Sequence, residues 1–286
     1  MRARGLCYHP TTLLRFRVLG SGSSGNATLV EADGGRLLID AGLGSRELAE
    51  RVQSAGVDPA SLCAVLLSHE HNDHARGAAS FSRKWGVRLA GSRGTYAAAG
   101  LGAEEIAGYD VLEPQVTRSF GPFTVRGLAV PHDAAGPMAF VVACGGGALG
   151  HATDFGHLNM SLVDGFRGCD AVLIESNYDP GMLRDGPYPW SLKARISGGY
   201  GHLSNQDTAR YLSNGLGEAC RAVVLAHLSE TNNHPEVARL TAETALRKRG
   251  RAEVRLEICG REGTDWFDVA AAPPPEPRGP RQLRLF

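Results

Sequence analysis

Residues 64–74 of this 286-residue chain read AVLLSHEHNDH, an apolar run followed directly by three histidines and one aspartate. The apolar run has the composition and length of a buried β-strand. Imidazole suits zinc, manganese or iron and carboxylate suits harder ions, so this mixture is typical of a site for divalent cations. His69, His71 and Asp73 alternate along the chain and His74 follows at once, so an extended turn would present them to two neighbouring ions.

Three more ligand-type residues occur at the ends of predicted strands. His132 follows an apolar run, Asp154 lies in a turn of small residues, and His227 ends the run Ala222–Ala226. Binding residues of α/β folds collect in such positions. We therefore expect these residues to join the histidine-rich turn in one metal site.

The composition restricts the class of protein. Hydrophobic residues make up 43% and charged residues 21%, which is ordinary for a soluble globular protein and excludes global disorder. A net charge of zero excludes a strongly basic coat for nucleic acid. The sequence shows no leader-like apolar segment and no apolar run long enough to cross a membrane, so we expect a cytoplasmic protein without membrane association. The six cysteines contain no C-x-x-C pair, and we expect their thiols to be reduced.

Strands alternate with helices along the chain, which predicts an α/β layered fold. The predicted strands are Phe16–Leu19, Thr28–Glu31, Arg36–Ile39, Ala64–Ser68, Phe123–Val130, Ala139–Ala143, Ala171–Ile174 and Ala222–Ala226. The predicted helices are Ser45–Ala55, Asn205–Ser213 and Pro235–Lys248. We expect an N-terminal extension at residues 1–15, one domain at 16–268 and a flexible Pro/Arg-rich tail at 269–286.

One glycine-rich segment is a misleading signal. Residues 20–25 read GSGSSG, which fits the G-x-G-x-x-G pattern of dinucleotide-binding sites. That pattern needs a helix at its third glycine. The sequence that follows is typical of a strand, so we interpret the segment as a tight hairpin.

The H-x-H-x-D-H motif and the residues at the other strand ends resemble the metallo-β-lactamase superfamily. The resemblance implies a single-domain αββα sandwich with two divalent ions at one edge. It implies His69, His71 and His132 as ligands of one ion, Asp73, His74 and His227 as ligands of the other, and Asp154 as a bridge. Asp40 matches an acidic motif of the family, and we expect it to orient the ligand loop.

A closer resemblance, over residues 16–268, is to the YycJ-type group of this superfamily. The segments that carry it are Gly20–Asn26, Ser68–His74, Pro131–Ala134, Glu175–Asp179, Met182–Leu183, Pro187–Lys193, Gly201–Asn205 and His227–Asn233. The group is associated with 5′ to 3′ exonuclease action on DNA, often with manganese. Tyr178 stands where some members have histidine, so no chemistry is assigned to it. Asp154 and His227 are too close in sequence to enclose the extra domain of the β-CASP nucleases.

The resemblance also implies catalytic residues. His202 with Glu175 is similar to the His–Glu pair of nuclease members, which would protonate the leaving oxygen or position the phosphate. Asp73 completes the expected catalytic set. For substrate contacts we expect Arg76, from a basic block without acidic residues, together with Trp190, Lys193 and Arg195. An ordinary solvated face is the alternative for these cations.

The last five residues, QLRLF, resemble the peptide with which bacterial replication and repair proteins bind the sliding clamp. Such a peptide would bury Leu283, Leu285 and Phe286 in a groove, with Gln282 hydrogen bonding at its edge. A random terminal peptide is the alternative.

The resulting hypothesis is a metal-dependent phosphodiesterase that uses two manganese, zinc or iron ions and acts as a 5′ to 3′ exonuclease on DNA in replication or mismatch repair. RNA stays open as a substrate. One alternative is a hydrolase of a small ester, thioester or lactone, since the same type of site serves those reactions. A non-catalytic regulatory or adaptor protein is the other.

Overall fold

The computed structural model describes residues 13–269. The predicted tail with its QLRLF peptide, and most of the predicted N-terminal extension, lie outside these residues. Within the described range, no helix combines the length and the apolar character that crossing a membrane requires.

Fourteen strands and nine α-helices are present between residues 13 and 269. The strands are β1 Leu14–Gly20, β2 Ala27–Ala32, β3 Gly35–Ile39, β4 Ala64–Leu66, β5 Leu89–Gly91, β6 Tyr109–Val111, β7 Thr117–Phe120, β8 Phe123–Ala129, β9 Met138–Cys144, β10 Gly147–Ala152, β11 Ala171–Glu175, β12 Ala222–Ala226, β13 Arg255–Ile258 and β14 Phe267–Val269. The helices are α1 Ser45–Ser54, α2 Asn72–Ala75, α3 Ala78–Trp85, α4 Arg93–Ala98, α5 Met160–Phe166, α6 Pro180–Asp185, α7 Trp190–Ile196, α8 Asn205–Asn214 and α9 Pro235–Lys248. A short 3-10 helix spans Pro59–Ser61.

The strands form two seven-stranded sheets that pack face to face. The first has the order β14-β1-β2-β3-β4-β5-β6, and the second has the order β13-β12-β11-β10-β9-β8-β7. Buried side chains of both sheets, among them Phe16, Phe123, Phe140 and Phe267, fill the space between them. Because each sheet turns one apolar face inward and covers the other with helices, this is the predicted αββα sandwich in a single domain.

Each outer layer has its own apolar cluster. Helices α1 and α3 cover the first sheet with side chains such as Leu48, Val52 and Phe81. Helices α5, α8 and α9 cover the second sheet, for example with Phe166 and Leu212. Strands buried on both faces need apolar side chains on both, which is why β4 and β12 are continuous apolar runs.

The direction of the strands determines where the site forms. Strands β3 to β6 are parallel to one another, and so are β10 to β13. Strand β8 runs antiparallel to β9, which runs antiparallel to β10, so β8 points the same way as β10. The carboxyl ends of β8, β10, β11 and β12 therefore meet at one edge of the second sheet, where α/β folds usually place their binding sites.

The eight predicted strands are present, but six others were missed. Strands β5, β6 and β14 have three residues each and β13 has four, too few for a periodic pattern to show. Strand β10 contains two glycines and an interior histidine, which interrupt the apolar pattern that would have predicted it. Strand β1 begins at Leu14, inside the predicted extension, because Leu14 pairs with Val269 of β14.

Candidate metal centre

Three buried residues at this edge have left-handed backbone geometry. Asp40, Asp154 and His227 have φ angles of 63°, 60° and 55°. They follow the carboxyl ends of β3, β10 and β12 respectively. A positive φ is unfavourable for residues with a Cβ and persists only where the surrounding structure enforces it. The strain marks the points where each chain segment turns its side chain into the edge of the sandwich.

The first ligand-type cluster consists of three histidines. Ligand atoms of His69, His71 and His132 all lie within 4.8 Å of one another. Nδ1 of His132 lies 3.1 Å from the backbone carbonyls of Tyr200 and Gly201, so it can donate its proton there and leave Nε2 free. Its Nε2 lies 3.3 Å from Nδ1 of His71. Such a convergence of imidazole nitrogens is suited to a metal ion.

The second cluster contains two histidines and two aspartates. Asp73, His74, Asp154 and His227 each bring one ligand atom within 4.8 Å of the others. Nε2 of His74 lies 2.9 Å from Oδ2 of Asp154, and Nε2 of His227 lies 3.5 Å from Oδ2 of Asp73. Asp73 and His74 lie in the short helix α2 after β4, where an extended turn was predicted, because the chain folds into a helical turn at Asn72. Asp154 and His227 follow the ends of β10 and β12, so both sheets contribute.

Asp40 lies directly behind His74. Its Oδ2 accepts from Nδ1 of His74 at 2.8 Å and from the hydroxyl of Ser68 at 2.9 Å, while its Oδ1 accepts from the Ser68 backbone N–H at 2.8 Å. A proton fixed on Nδ1 leaves Nε2 of His74 as the free ligand atom. The role of Asp40 in orienting the ligand loop stays a prediction, and these are the contacts that it would use.

Glu175 ties two histidines together. Its Oε1 accepts from Nδ1 of His202 and from Nδ1 of His227, each at 2.8 Å. Its Oε2 accepts from the backbone N–H groups of Phe155 and Leu203 at 3.2 and 3.1 Å. Glu175, His202, His227 and Asp154 also form a cluster within 4.8 Å, but these hydrogen bonds already occupy the oxygens of Glu175. We therefore interpret that cluster as a positioning network and not as a third metal site.

The carboxylates of the site are ionised and the histidines compensate for their charge. Burial disfavours the charged form of Asp154, but His227 and His74 hold its pKa well below the usual range. Burial would lower the pKa of His227, whereas Asp154, Asp73 and Glu175 raise it to about 10. Burial lowers the pKa of His69 well below its ordinary value, and His74 adds to this effect. Protons thus supply positive charge next to the buried carboxylates, which is where a bound cation would supply it.

The glycine-rich segment before β2 contacts two residues of the second cluster, Asp73 and His227. The backbone N–H of Asn26 donates to the Asp73 carbonyl at 2.7 Å, and its side-chain Nδ2 lies 3.2 Å from that carbonyl and 3.5 Å from Asp73 Oδ2. The hydroxyl of Ser21 accepts from the backbone N–H of His227 at 2.8 Å. Gly42 packs on the same carbonyl so closely that a Cβ there would lie 1.7 Å from it. The tight hairpin that we predicted is therefore also a support for the ligands.

The sequence analysis did not assign these roles to Ser21 and Asn26. The available signal was the unusual density of glycine and serine in a segment that is followed by a strand. Asn177 was missed as well, and its side-chain amide donates to the His227 carbonyl at 2.8 Å.

An open pocket of about 240 Å³ leads to the two clusters. Its lining includes Ser23, Asp133, Leu192, Arg195 and His202. Burial lowers the pKa of His202, but Glu175 and Asp154 outweigh that effect and raise the pKa above its ordinary value. His202 therefore faces the pocket with its Nδ1 held by Glu175.

Of the expected substrate residues, Arg195 lines this pocket, whereas Trp190 and Lys193 lie on the same helix α7 outside its lining and Arg76 follows α2. Arg195 forms an ion pair with Asp133 at 2.8 Å, and Nζ of Lys193 donates to the Arg184 carbonyl at 2.7 Å. Trp190 is 79% exposed at the start of α7. The charge of Arg195 is thus largely compensated within the protein.

The chemistry of the donors fits divalent cations. Among buried side-chain atoms of residues 13–269, nine have no hydrogen-bond partner, and three of them, His69 Nε2, His227 Nε2 and Asp154 Oδ2, belong to the two clusters. Asp154 Oδ2 lies 2.9 Å from His74 Nε2, but without hydrogen-bond geometry. Leaving buried polar atoms unpaired is costly, so such atoms in a native structure need an explanation. Metal ions in the two clusters would account for these three atoms.

Comparison with known proteins agrees with this arrangement. Residues 20–196 match the family described as the metallo-beta-lactamase superfamily. The chain belongs to the metallo-β-lactamase superfamily. It is 33% identical over 236 residues to "Exodeoxyribonuclease WalJ" of Streptococcus pneumoniae, covering 81% of this chain and 88% of that protein. It is 32% identical over 243 residues to "Exodeoxyribonuclease YycJ" of Bacillus anthracis, covering 83% and 90%. The predicted membership of the YycJ-type group of the superfamily is confirmed.

Solved structures of the superfamily share the fold at lower identity. The metallo-beta-lactamase fold protein YhfI from Bacillus subtilis superposes with a TM-score of 0.70 at 18% identity, covering 89% of this chain and 99% of that one. Zinc-bound PqqB from Methylobacterium extorquens gives 0.63 at 16% identity, covering 89% and 99%. These similarities establish the architecture of the superfamily in this chain.

Proposed function

We propose that this protein is a dinuclear metal-dependent phosphodiesterase that degrades DNA as a 5′ to 3′ exonuclease in replication or mismatch repair. The observation that carries the proposal is the pair of donor clusters at one edge, with the His202–Glu175 pair beside them in the same pocket. The relatives named exodeoxyribonucleases, similar over most of the chain, support DNA as the substrate. RNA is kept as an alternative substrate, and the cytoplasmic location remains a prediction.

In this proposal seven side chains hold two ions. One ion would be held by His69, His71 and His132, and the other by Asp73, His74 and His227, with Asp154 shared between the two. Manganese, zinc and iron suit this combination of imidazole and carboxylate. Bound divalent ions lower the pKa of water and neutralise the charge that develops on phosphate oxygens.

Side chains of the protein would orient the metal ligands and transfer the proton. Asp40 and Glu175 hold the Nδ1 protons of His74 and His227 and so keep both Nε2 atoms directed into the site. His202 lines the pocket with a raised pKa and is the candidate to protonate the leaving oxygen or to hold the scissile phosphate. Asp73, His202 and Glu175 are thus proposed as the catalytic set.

The substrate would approach along the pocket mouth. Trp190 offers an exposed aromatic face on which a base can stack. Arg76, Lys193 and Arg195 are the proposed phosphate contacts, although Arg195 would have to exchange its contact with Asp133. Binding that does not weaken as salt concentration rises would contradict these contacts.

The sliding clamp remains a proposed partner through the C-terminal peptide, whose residues Gln282, Leu283, Leu285 and Phe286 lie outside the described part of the chain. Deletion of residues 282–286 should abolish binding to the clamp and leave nuclease activity unchanged. Unchanged clamp binding by the shortened protein would contradict this proposal.

The decisive test uses the full chain reconstituted with manganese or zinc. DNA and RNA duplexes labelled at the 5′ or the 3′ end are incubated with it, and product lengths are followed over time. We expect stepwise shortening of DNA from the 5′ end. Hydrolysis of a chromogenic ester without DNA cleavage would favour the small-molecule hydrolase. Inactivity on both substrates with two bound ions would favour the adaptor.

A further inference from the structure

The tip of the glycine-rich segment carries unused hydrogen-bond donors. Ser23 is exposed and lines the pocket together with Asp73 and His71. Within residues 13–269, the backbone N–H groups and the hydroxyls of Ser23 and Ser24 donate to no acceptor. The base of the same segment is fixed by Ser21 and Asn26, so these donors are held in place next to the site. Successive free backbone N–H groups are a common anion-binding arrangement.

A cation lies beside this tip. Arg76 comes three residues after Asp73, is exposed and donates from Nη2 to the Ser24 carbonyl at 2.8 Å. Within the described part of the chain its guanidinium has no carboxylate within 4.0 Å, unlike Arg195, which is paired with Asp133. Its remaining N–H groups are therefore available to an anion that also contacts the serines.

We propose that Ser23, Ser24 and Arg76 form a subsite for the phosphate that neighbours the scissile phosphate of the DNA strand. This inference rests on the proposed nuclease function. Phosphate oxygens accept several hydrogen bonds at once, and a guanidinium beside free N–H groups is the arrangement that binds them best. The subsite is on the Asp73 side of the pocket, so it would fix the strand relative to the ions. It holds either the terminal 5′-phosphate or the phosphate of the next linkage.

The experiment combines a protein change with a substrate change. Arg76→Ala and wild type are compared on three DNA duplexes, one with a 5′-phosphate, one with a 5′-hydroxyl, and one with a neutral methylphosphonate at the second linkage. Arg221→Ala is the matched control, because Arg221 is also exposed and without a carboxylate partner among residues 13–269, but it precedes β12 at the opposite end from His227. Melting temperature and bound metal are measured for every protein.

We expect Arg76→Ala to lower kcat/KM on the 5′-phosphorylated duplex by roughly tenfold to a hundredfold, the effect of one or two charge-assisted hydrogen bonds. On one of the other two duplexes the effect should shrink to about twofold or less, because the phosphate that Arg76 contacts has been removed or made neutral. That duplex identifies which phosphate occupies the subsite. Arg221→Ala should cleave all three like wild type.

An equal loss of kcat/KM for Arg76→Ala on all three duplexes would show that Arg76 acts by shaping the glycine-rich segment. That result would overturn the proposed subsite. Wild-type kcat/KM for Arg76→Ala would overturn it as well. Failure of the wild-type protein to cleave any duplex would overturn the nuclease function, and the subsite with it.

Discussion

Replacement of Glu175 with glutamine tests how the site controls its histidines. Glu175 is fully buried, and its two oxygens accept four hydrogen bonds. The glutamine oxygen can still accept from the backbone N–H groups of Phe155 and Leu203. Its NH₂ group then faces Nδ1 of His202 and Nδ1 of His227. Each imidazole must give up its Nδ1 proton in order to accept from that NH₂ group, and its remaining proton then lies on Nε2.

The magnitude follows from these contacts. Two charge-assisted hydrogen bonds of roughly 1.5–3 kcal/mol each become neutral ones of about 1 kcal/mol, so the free energy of unfolding falls by about 1–4 kcal/mol. For a chain of this size that corresponds to a melting temperature about 2–12 °C lower. A proton on Nε2 of His227 also occupies the atom that faces Asp73, so affinity for the ion on that side should fall about 10–100-fold.

The assay has two parts, thermal unfolding of the metal-free protein and a metal titration against a competing chelator. Asp170→Asn is the matched control, since Asp170 is a buried carboxylate before β11, at the opposite end of that strand, where it accepts from the Ala148 backbone N–H at 2.9 Å. It should change stability without changing metal affinity. A Glu175→Gln protein that binds both ions as tightly as wild type would refute the reasoning.

Three further predictions concern single residues. His202→Ala should slow DNA cleavage by roughly 10²–10⁴-fold with unchanged metal content, and a wild-type rate would remove His202 from the mechanism. Asn26→Ala should weaken binding of the ion on the Asp73 side by about tenfold and spare the other, as measured by metal titration, and equal weakening of both would contradict this. The pKa of His227 is raised from 6.5 to about 10, so its stabilising contribution to the metal-free fold is complete below pH 6.5 and lost as pH rises through 10. Denaturant midpoints should fall over that range, and flat midpoints would contradict it.

The sequence indicated the centre of the site well because its signal is local. The motif His69–His74 follows a buried strand, and the ends of strands in an α/β fold meet at one edge. In the predicted fold, His132, Asp154 and His227 follow strands whose ends lie at that same edge. The layers of the sandwich were predictable for the same reason, because β4 and β12 are continuous apolar runs.

Other features could not be predicted from a pattern. The role of Ser21 depends on a hydrogen bond to His227, 206 residues away, and no periodicity encodes such a pair. The contact of Arg195 with Asp133 likewise joins two segments that meet only in the folded chain. The left-handed backbone geometry at Asp40 is enforced by packing. A glycine at that position would have indicated it in the sequence, but the residue is an aspartate.

The division of the ligand-type side chains between the two sheets has a consequence for synthesis and assembly. His69 to His74 follow a strand of the first sheet, whereas Asp154 and His227 follow strands of the second. Ions held from both sheets would link the two halves of the sandwich, and the cluster of Asp73, His74, Asp154 and His227 would be complete only after His227, in the last third of the chain, has been synthesised. A truncated or partly folded molecule would then lack a complete set of ligands. The nascent enzyme would stay inactive until its two sheets had packed together.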